Sequence, residues 1–496
     1  MTYKERLAGF REQLAKIEYC KYTLNGLIYW DKVTYMPKNS IGYRSEVMSF
    51  IADMQYKMLT SREFLDDFAY FENNPKNDFV TDRMIRHIKE SGEAMRVIPE
   101  EEYAAYIRLV ALSEQVWEEA RNEADFDKFK GNFSKLINTF KSFAGYWGYE
   151  EEPYDALLNY YVEGFSCKDA DNMVETIREP LFSMIENKLK EQSKTKDIAP
   201  ISGVSEDVQI KLWKLLLTEI GFDFDRGRVD VGAQATVLAN SPSDVRIVNY
   251  YSEDDLCVGI FNVLHSGGKS VYQQNINRNL KGTLLGETPS FAMDEAVGRF
   301  YENVIGRSYA FWKRVFPKAA KIVPELRDVG LDAFYDHINR CEKSPVRISA
   351  DELTYLVHVM IRYEIERALI NGELDVSEAK KVWTDKYREY LGVVPSDDAE
   401  GILQDVHWAA GYVGYFPTYL LASVASAQFA KAIEAEHGNL DELILKTGTS
   451  IINKWMIENV YEWGACYNTF ELIEKACKEE LNPNYYVEYL REKFEK

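Results

Sequence analysis

Val263–Gln274 reads VLHSGGKSVYQQ, a helical run in which His265 and Lys269 stand one turn apart. The helix opens at Asp254 or Asp255, residues whose carboxylates cap a first turn. Directly before it, DVRIVNYY (Asp244–Tyr251) packs β-branched residues into a short run and reads as a strand. Further on, TYLVHVMIRYEIERALI (Thr354–Ile370) is apolar nearly all round, as an interior helix is. Asp351-Glu352 marks its start, and Asn371-Gly372 its end, where Gly accepts a left-handed cap. Near the N-terminus, Leu7, Phe10, Leu14 and Ile17 recur at three- and four-residue steps and make one apolar stripe. The class is mostly α with a minor sheet. Gly267 and Gly268 each cost about 1 kcal/mol against Ala inside a helix. The pair therefore implies either crowded helix packing or close passage of a ligand or another backbone.

The 496 residues are 46% hydrophobic, with 14 Pro, 28 Gly and no Pro/Gly/Ser-rich linker, repeat or low-complexity tract. Residues 1–496 thus read as one large domain. The formal net charge of −21 opposes nucleic acid and anionic lipid, both of which are bound through Lys and Arg. No signal peptide and no uninterrupted apolar stretch of spanning length is present, so no membrane partner is expected. Six scattered cysteines without a CxxC pair suit a reducing cytoplasm, and the chain is expected there.

Two His four residues apart, with a Glu after the first, grip zinc and activate water from one helix face. Here His265 stands at the first position, Ser266 at that of the Glu, and Lys269 at that of the second His. A serine hydroxyl is no acceptor for a water proton at neutral pH. An ammonium beside a dication is a like-charge arrangement. Ser266 and His265 are neighbours on a helix, so their side chains diverge, and no G-x-S-x-G turn exists to support nucleophilic catalysis. Lys269 as a Schiff-base amine would require desolvation.

Several longer segments resemble the carboxypeptidase Taq family of zinc metallocarboxypeptidases. They are YWDKVTYMP (Tyr29–Pro37), DVRI (Asp244–Ile247), MDEAVGRFYENVIGRS (Met293–Ser308), VRISADELTY (Val346–Tyr355) and GILQDVHWAAGYVGYFPTY (Gly401–Tyr419). They occur in the family's order and span nearly the whole chain. The resemblance implies a large helical metallopeptidase-like body with a deep central groove and a small β-sheet, commonly a homodimer. Family members release single residues from peptide C-termini.

Carried over position by position, the resemblance makes His265 the first metal His and Glu295 the downstream ligand, with Asp294 where the family has a His. Gln234-Ala235-Thr236 replaces a His-Pro-Phe segment, and Val248 replaces the Thr that closes Asp-x-Arg-x-Thr. Arg347 matches the Arg that holds a substrate's terminal carboxylate; its structural alternative is an ion pair with Asp351 or a nearby Glu. His407 fits a donor to a substrate carbonyl or a supporting group, while Gln404 and Asp405 orient neighbours. Tyr415 and Tyr419 are expected to line the groove, and His358 to be core. Asp244 and Arg246 are expected to fix the strand against the His265 helix.

The resulting expectation is a family member without working zinc chemistry: no resident cofactor, and at most peptide binding through the C-terminal carboxylate. Lys269 is expected to pair with Glu295 in place of the ion. Two alternatives stay open. One is an active hydrolase with an atypical site for zinc or another divalent metal. The other is a structural or regulatory dimer partner of an active paralogue.

Overall fold

In the computed structural model, which describes residues 2–233 and 235–495, helices dominate and one small sheet interrupts them. The chain groups into two compact units, each built from separated stretches. The first takes residues up to Glu90, Asp197–Ile338 and Phe429–Glu480; the second takes Ser91–Lys196, Asn339–Gln428 and the residues from Leu481.

The sheet lies in the first unit. Its strands β1 (Gly227–Val231), β2 (Thr236–Ser241) and β3 (Asp244–Asn249) stand in the order β1-β3-β2, with β1 parallel and β2 antiparallel to β3. The β3 strand is the predicted Asp244–Tyr251 segment shortened by two residues, and its Val245, Ile247 and Val248 are fully buried. That apolar run explains why the sequence announces β3 and not its flanking strands. GRVDV and TVLANS are short and half-buried, and they become strands by pairing with β3.

The helix Leu256–Gln274 follows, capped by Asp255, whose side chain accepts the Cys257 N–H at 2.9 Å. Asn249 ties the end of β3 to it through a hydrogen bond to the Gly259 carbonyl, 3.2 Å. The glycine pair is explained by crowding. A Cβ on Gly267 would stand 2.6 Å from Leu217, and one on Gly268 would stand 2.7 Å from Tyr301 and 2.9 Å from the Val297 carbonyl. Neighbouring helices thus close onto this stretch, burying Leu217, Ile220, Val297 and Tyr301. At roughly 1.5–3 kcal/mol per large apolar side chain, that burial outweighs the conformational cost of two glycines.

In the second unit, Tyr355–Asn371 forms the interior helix, buried along most of its length and ended by Gly372 at φ 83°. Asp351 does not begin it. Its carboxylate instead accepts the Leu353 and Thr354 N–H groups (2.9 and 3.1 Å) in the turn just before. The segment 400–416 contains no helix longer than a turn and is pinned to this helix by Glu366. Glu366 accepts from the Tyr154 hydroxyl (2.6 Å), the Trp408 indole (2.5 Å) and the Gly414 N–H (3.0 Å). Among the described residues, no helix is long and apolar enough to cross a membrane.

Candidate active site

His265 and Lys269 leave the Leu256–Gln274 helix on one face, toward the helix Phe291–Arg299, which a wide π-turn (Phe300–Ile305) continues. Ser290 caps that second helix through the Met293 N–H. Gly298 makes the approach possible, since a Cβ there would lie 2.7–3.0 Å from the imidazole.

The His265 ring is held at both nitrogens. Nε2 stands 3.2 Å from Glu295 Oε2, and Nδ1 stands 3.0 Å from Glu302 Oε2. The Lys269 ammonium bonds the other oxygen of Glu295, and Asp294 lies 3.3 Å from it. Gln273 reaches Asp294 at 3.4 Å. Arg299 and Arg307 approach Glu302 at 3.4 and 3.8 Å. Ser266, on the same turn, is buried.

These contacts set the protonation states. Burial alone would lower the His265 pKa, but Glu295 and Glu302 override it and raise it above the ordinary imidazole value. Burial would raise Glu295; Lys269 and His265 instead hold it well below the usual carboxylate range. Glu302, opposed by the same burial, is brought to about 2 by Arg299 and His265. The imidazole of His265 and the ammonium of Lys269 thus converge on the one carboxylate of Glu295.

A catalytic zinc needs three converging ligands, an open position and a neutral imidazole with a free lone pair. The residues here do not fit that requirement. An imidazole that satisfies two carboxylates is a donor at both nitrogens, and an ammonium is bonded to the carboxylate expected as a ligand. Among the described residues, two groups of three bring ligand atoms within 4.8 Å of one another, Asp255–Cys257–His337 and Glu152–Asp155–Cys167. The His265 cluster is not one of them. Lys269 as a Schiff-base amine fares no better, since its nitrogen is engaged by two carboxylates.

The remaining predicted residues separate into two places. Asp244 and Arg246 do not fix β3 against the His265 helix. Their side chains pair with each other (2.9 Å), Asp244 accepts from the Tyr22 hydroxyl (2.9 Å), and Arg246 lies 4.5 Å over the Trp30 ring. They face the N-terminal helices, and Asn249 makes the strand-to-helix bond instead. Val248 is buried on β3. Gln234 lies outside the described residues.

Arg347, Gln404, Asp405, His407, Tyr415 and Tyr419 come together in the second unit. Arg347 pairs with Asp405, not with Asp351: Nε and Nη2 reach one carboxylate oxygen at 3.0 and 2.8 Å. Arg362 takes the other oxygen at 2.6 Å. Gln404 Oε1 accepts the Arg347 N–H and an Arg362 Nη2–H, both at 2.8 Å, so Gln404 and Asp405 orient both arginines. Phe416 and Tyr419 lie 5.5 and 5.6 Å from the Arg347 guanidinium, a cation–π setting. His407 lies 4.6 Å from Phe416 and 5.8 Å from Tyr415, ring centre to ring centre. His358 is fully buried, bonds the Tyr387 hydroxyl at 2.8 Å, and is held neutral by burial and by Arg362.

Sequence reasoning missed Gly298, Arg299 and Glu302. Their spacing from Glu295 (one and two turns along the same helix face) is the signal that would have found them.

A strand, a helix presenting His265 and a second helix presenting Glu295 form the helical scaffold of this site, and that scaffold is the one of a metallopeptidase family. The family model described as "Carboxypeptidase Taq (M32) metallopeptidase" matches residues 9–494, and the chain belongs to that family. It is 34% identical over 472 residues to carboxypeptidase 1 of Bacillus subtilis, covering 94% of each chain. It is 31% identical over 485 residues to thermostable carboxypeptidase 1 of Thermus thermophilus, covering 95% of each. The solved structure of the Pyrococcus furiosus carboxypeptidase superposes with a TM-score of 0.95 at 28% identity, covering 99% of both chains.

Proposed function

We propose that this chain is a carboxypeptidase Taq family member that no longer performs zinc-dependent release of C-terminal residues and retains at most recognition of peptide C-termini. The observation that carries the reading is the Lys269 ammonium bonded to Glu295, the residue that matches the family's carboxylate ligand. Together with His265 it neutralises that carboxylate from within the chain, so a dication entering there would have to displace two cations. Ser266 supplies no base for a water proton.

Arg347 supports the recognition part. Asp405 and Tyr355 lock its guanidinium in one orientation, with Tyr355 accepting from Nη1 at 3.2 Å, and Gln404 holds its backbone N–H. An oriented guanidinium suits bidentate capture of a carboxylate. Its burial equally suits a purely structural pairing with Asp405.

The test is elemental analysis of tag-free protein, with and without His265→Gln, alongside an assay for release of C-terminal residues. The reading expects no release, and no metal that depends on His265. Release, or a stoichiometric metal lost on His265→Gln, overturns it.

A further inference from the structure

A second cluster of potential ligands lies at the start of the helix that carries His265. Asp255 caps that helix, Cys257 sits in its first turn, and His337 comes from the last turn of a separate helix, Leu331–Ile338. Ligand atoms of all three lie within 4.8 Å of one another. That bound is slightly more than the roughly 4.6 Å that two zinc bonds of about 2.3 Å span at most. Side-chain rotation shortens it.

We propose that Asp255, Cys257 and His337 bind a divalent cation of borderline softness, zinc foremost, at a site separate from the His265 cluster. Sulfur, nitrogen and oxygen from two elements distant in sequence form the mixed donor set that suits such an ion. Each donor is prepared for the task. Asp197 accepts from His337 Nδ1 at 3.0 Å, which fixes the ring and turns Nε2 into the ligating nitrogen. Asp255 accepts the Cys257 N–H at 2.9 Å, which holds its carboxylate beside the thiol. Cys257 is buried, while Asp255 and His337 are half-buried, so the ion enters from the solvent side onto a sheltered sulfur.

Binding replaces the thiol proton: the sulfur–hydrogen bond breaks, the sulfur–metal bond forms, and one proton passes to solvent. No oxidant or further reactant is needed.

The comparable group in the second unit lacks this preparation. Glu152 is paired with Arg367 at 2.5 Å, and the Asp155 oxygens accept the Cys167 and Glu152 N–H groups at 2.7 and 3.3 Å. Both oxygens of its Asp155 already carry hydrogen bonds, and a guanidinium balances the charge of Glu152.

The experiment titrates the full chain, stripped with chelator and kept reduced, with cobalt(II) alone. The expected result is about one cobalt per chain with a near-ultraviolet thiolate-to-cobalt charge-transfer band. His265→Gln leaves the band unchanged, Cys257→Ser abolishes it, and Asp197→Asn weakens affinity by about 10–100-fold. If Cys257→Ser fails to fold by circular dichroism, His337→Asn, at a half-buried helix end, decides: loss of binding supports the site. The proposal is overturned if no cobalt binds, if cobalt binds without the band, if His337→Asn binds as before, or if the band disappears with His265→Gln. Because the His265 variant is measured in parallel, failure here is distinguishable from failure of the functional reading.

Discussion

Lys269 and Glu295 meet as a buried ion pair across two helices, ammonium against carboxylate, with 16% and 8% of their side chains exposed. Taking both charges out of water is costly, and close mutual contact offsets that cost. Removing either partner should therefore hurt more than removing both. Lys269→Met and Glu295→Gln singly are expected to destabilise by about 3 kcal/mol, the lower end for a buried pair, because Asp294 and His265 remain as substitute partners. The double variant should fall well short of the sum. A denaturant double-mutant cycle measures this, and additive effects would reject the pairing as an energetic unit.

Restoring the family pattern with Ser266→Glu and Lys269→His should bring back zinc affinity before activity. His265 and Glu295 are in place, but Asp294, Val248 and Gln234 depart from the family pattern, and Glu302 competes for the imidazole. Supporting groups around a metal matter by about 10–100-fold each. Equilibrium dialysis should show bound zinc, while the C-terminal release assay stays low. Vigorous turnover from the double variant alone would show that those surrounding positions count for little.

The glycine pair allows a packing test. Gly268→Ala would place a Cβ 2.9 Å from the Val297 carbonyl oxygen, a backbone atom that cannot swing aside. Overpacking of this kind costs about 1–3 kcal/mol, more than the roughly 1 kcal/mol gained in helix propensity. Gly9→Ala, with nothing within 4 Å of the new Cβ, should stabilise by about 0.5–1 kcal/mol. Urea midpoints that shift in the same direction for both would contradict the crowding.

Glu366 predicts a pH dependence. Burial raises its pKa from 4.5 to about 7, against the opposing hydrogen bonds of Tyr154, Trp408 and Gly414. Between these two values the folded chain holds a proton that the unfolded chain has released. Stability from this group therefore falls as pH rises from about 4.5 to about 7, by about 3 kcal/mol in all, and is level above. Glu366→Gln should flatten that part of the profile. Unfolding free energies of the parent and the variant that run parallel across the window would sink the assignment.

The sequence alone determines those features of this protein whose governing interactions are local. The Asp255 cap, the end of the interior helix at Gly372 and the short apolar strand from Asp244 rest on signals a few residues apart, and the structure keeps all three. The replacements at Ser266 and Lys269 are legible for the same reason, since a four-residue step places side chains on one helix face wherever that helix lies. The residue segments that align with the carboxypeptidase Taq family also come in one order along the chain, and order is a property of sequence.

Tertiary structure decided the partners. Sequence proximity offers Arg347 an ion pair with Asp351 or a nearby Glu as the structural alternative to carboxylate binding, yet the guanidinium pairs with Asp405 because the 400–416 segment folds back over the interior helix. Asp244 and Arg246 turned toward Tyr22 and Trp30, away from the helix they were expected to hold. Glu302 became the second carboxylate of His265 only because Gly298 lets two helices approach closely enough for the ring to fit between them. The physical reason is common to all three. Helix periodicity and capping act within a turn of chain, whereas the choice of a counter-charge depends on which groups converge after packing and on how far burial forces them to pair.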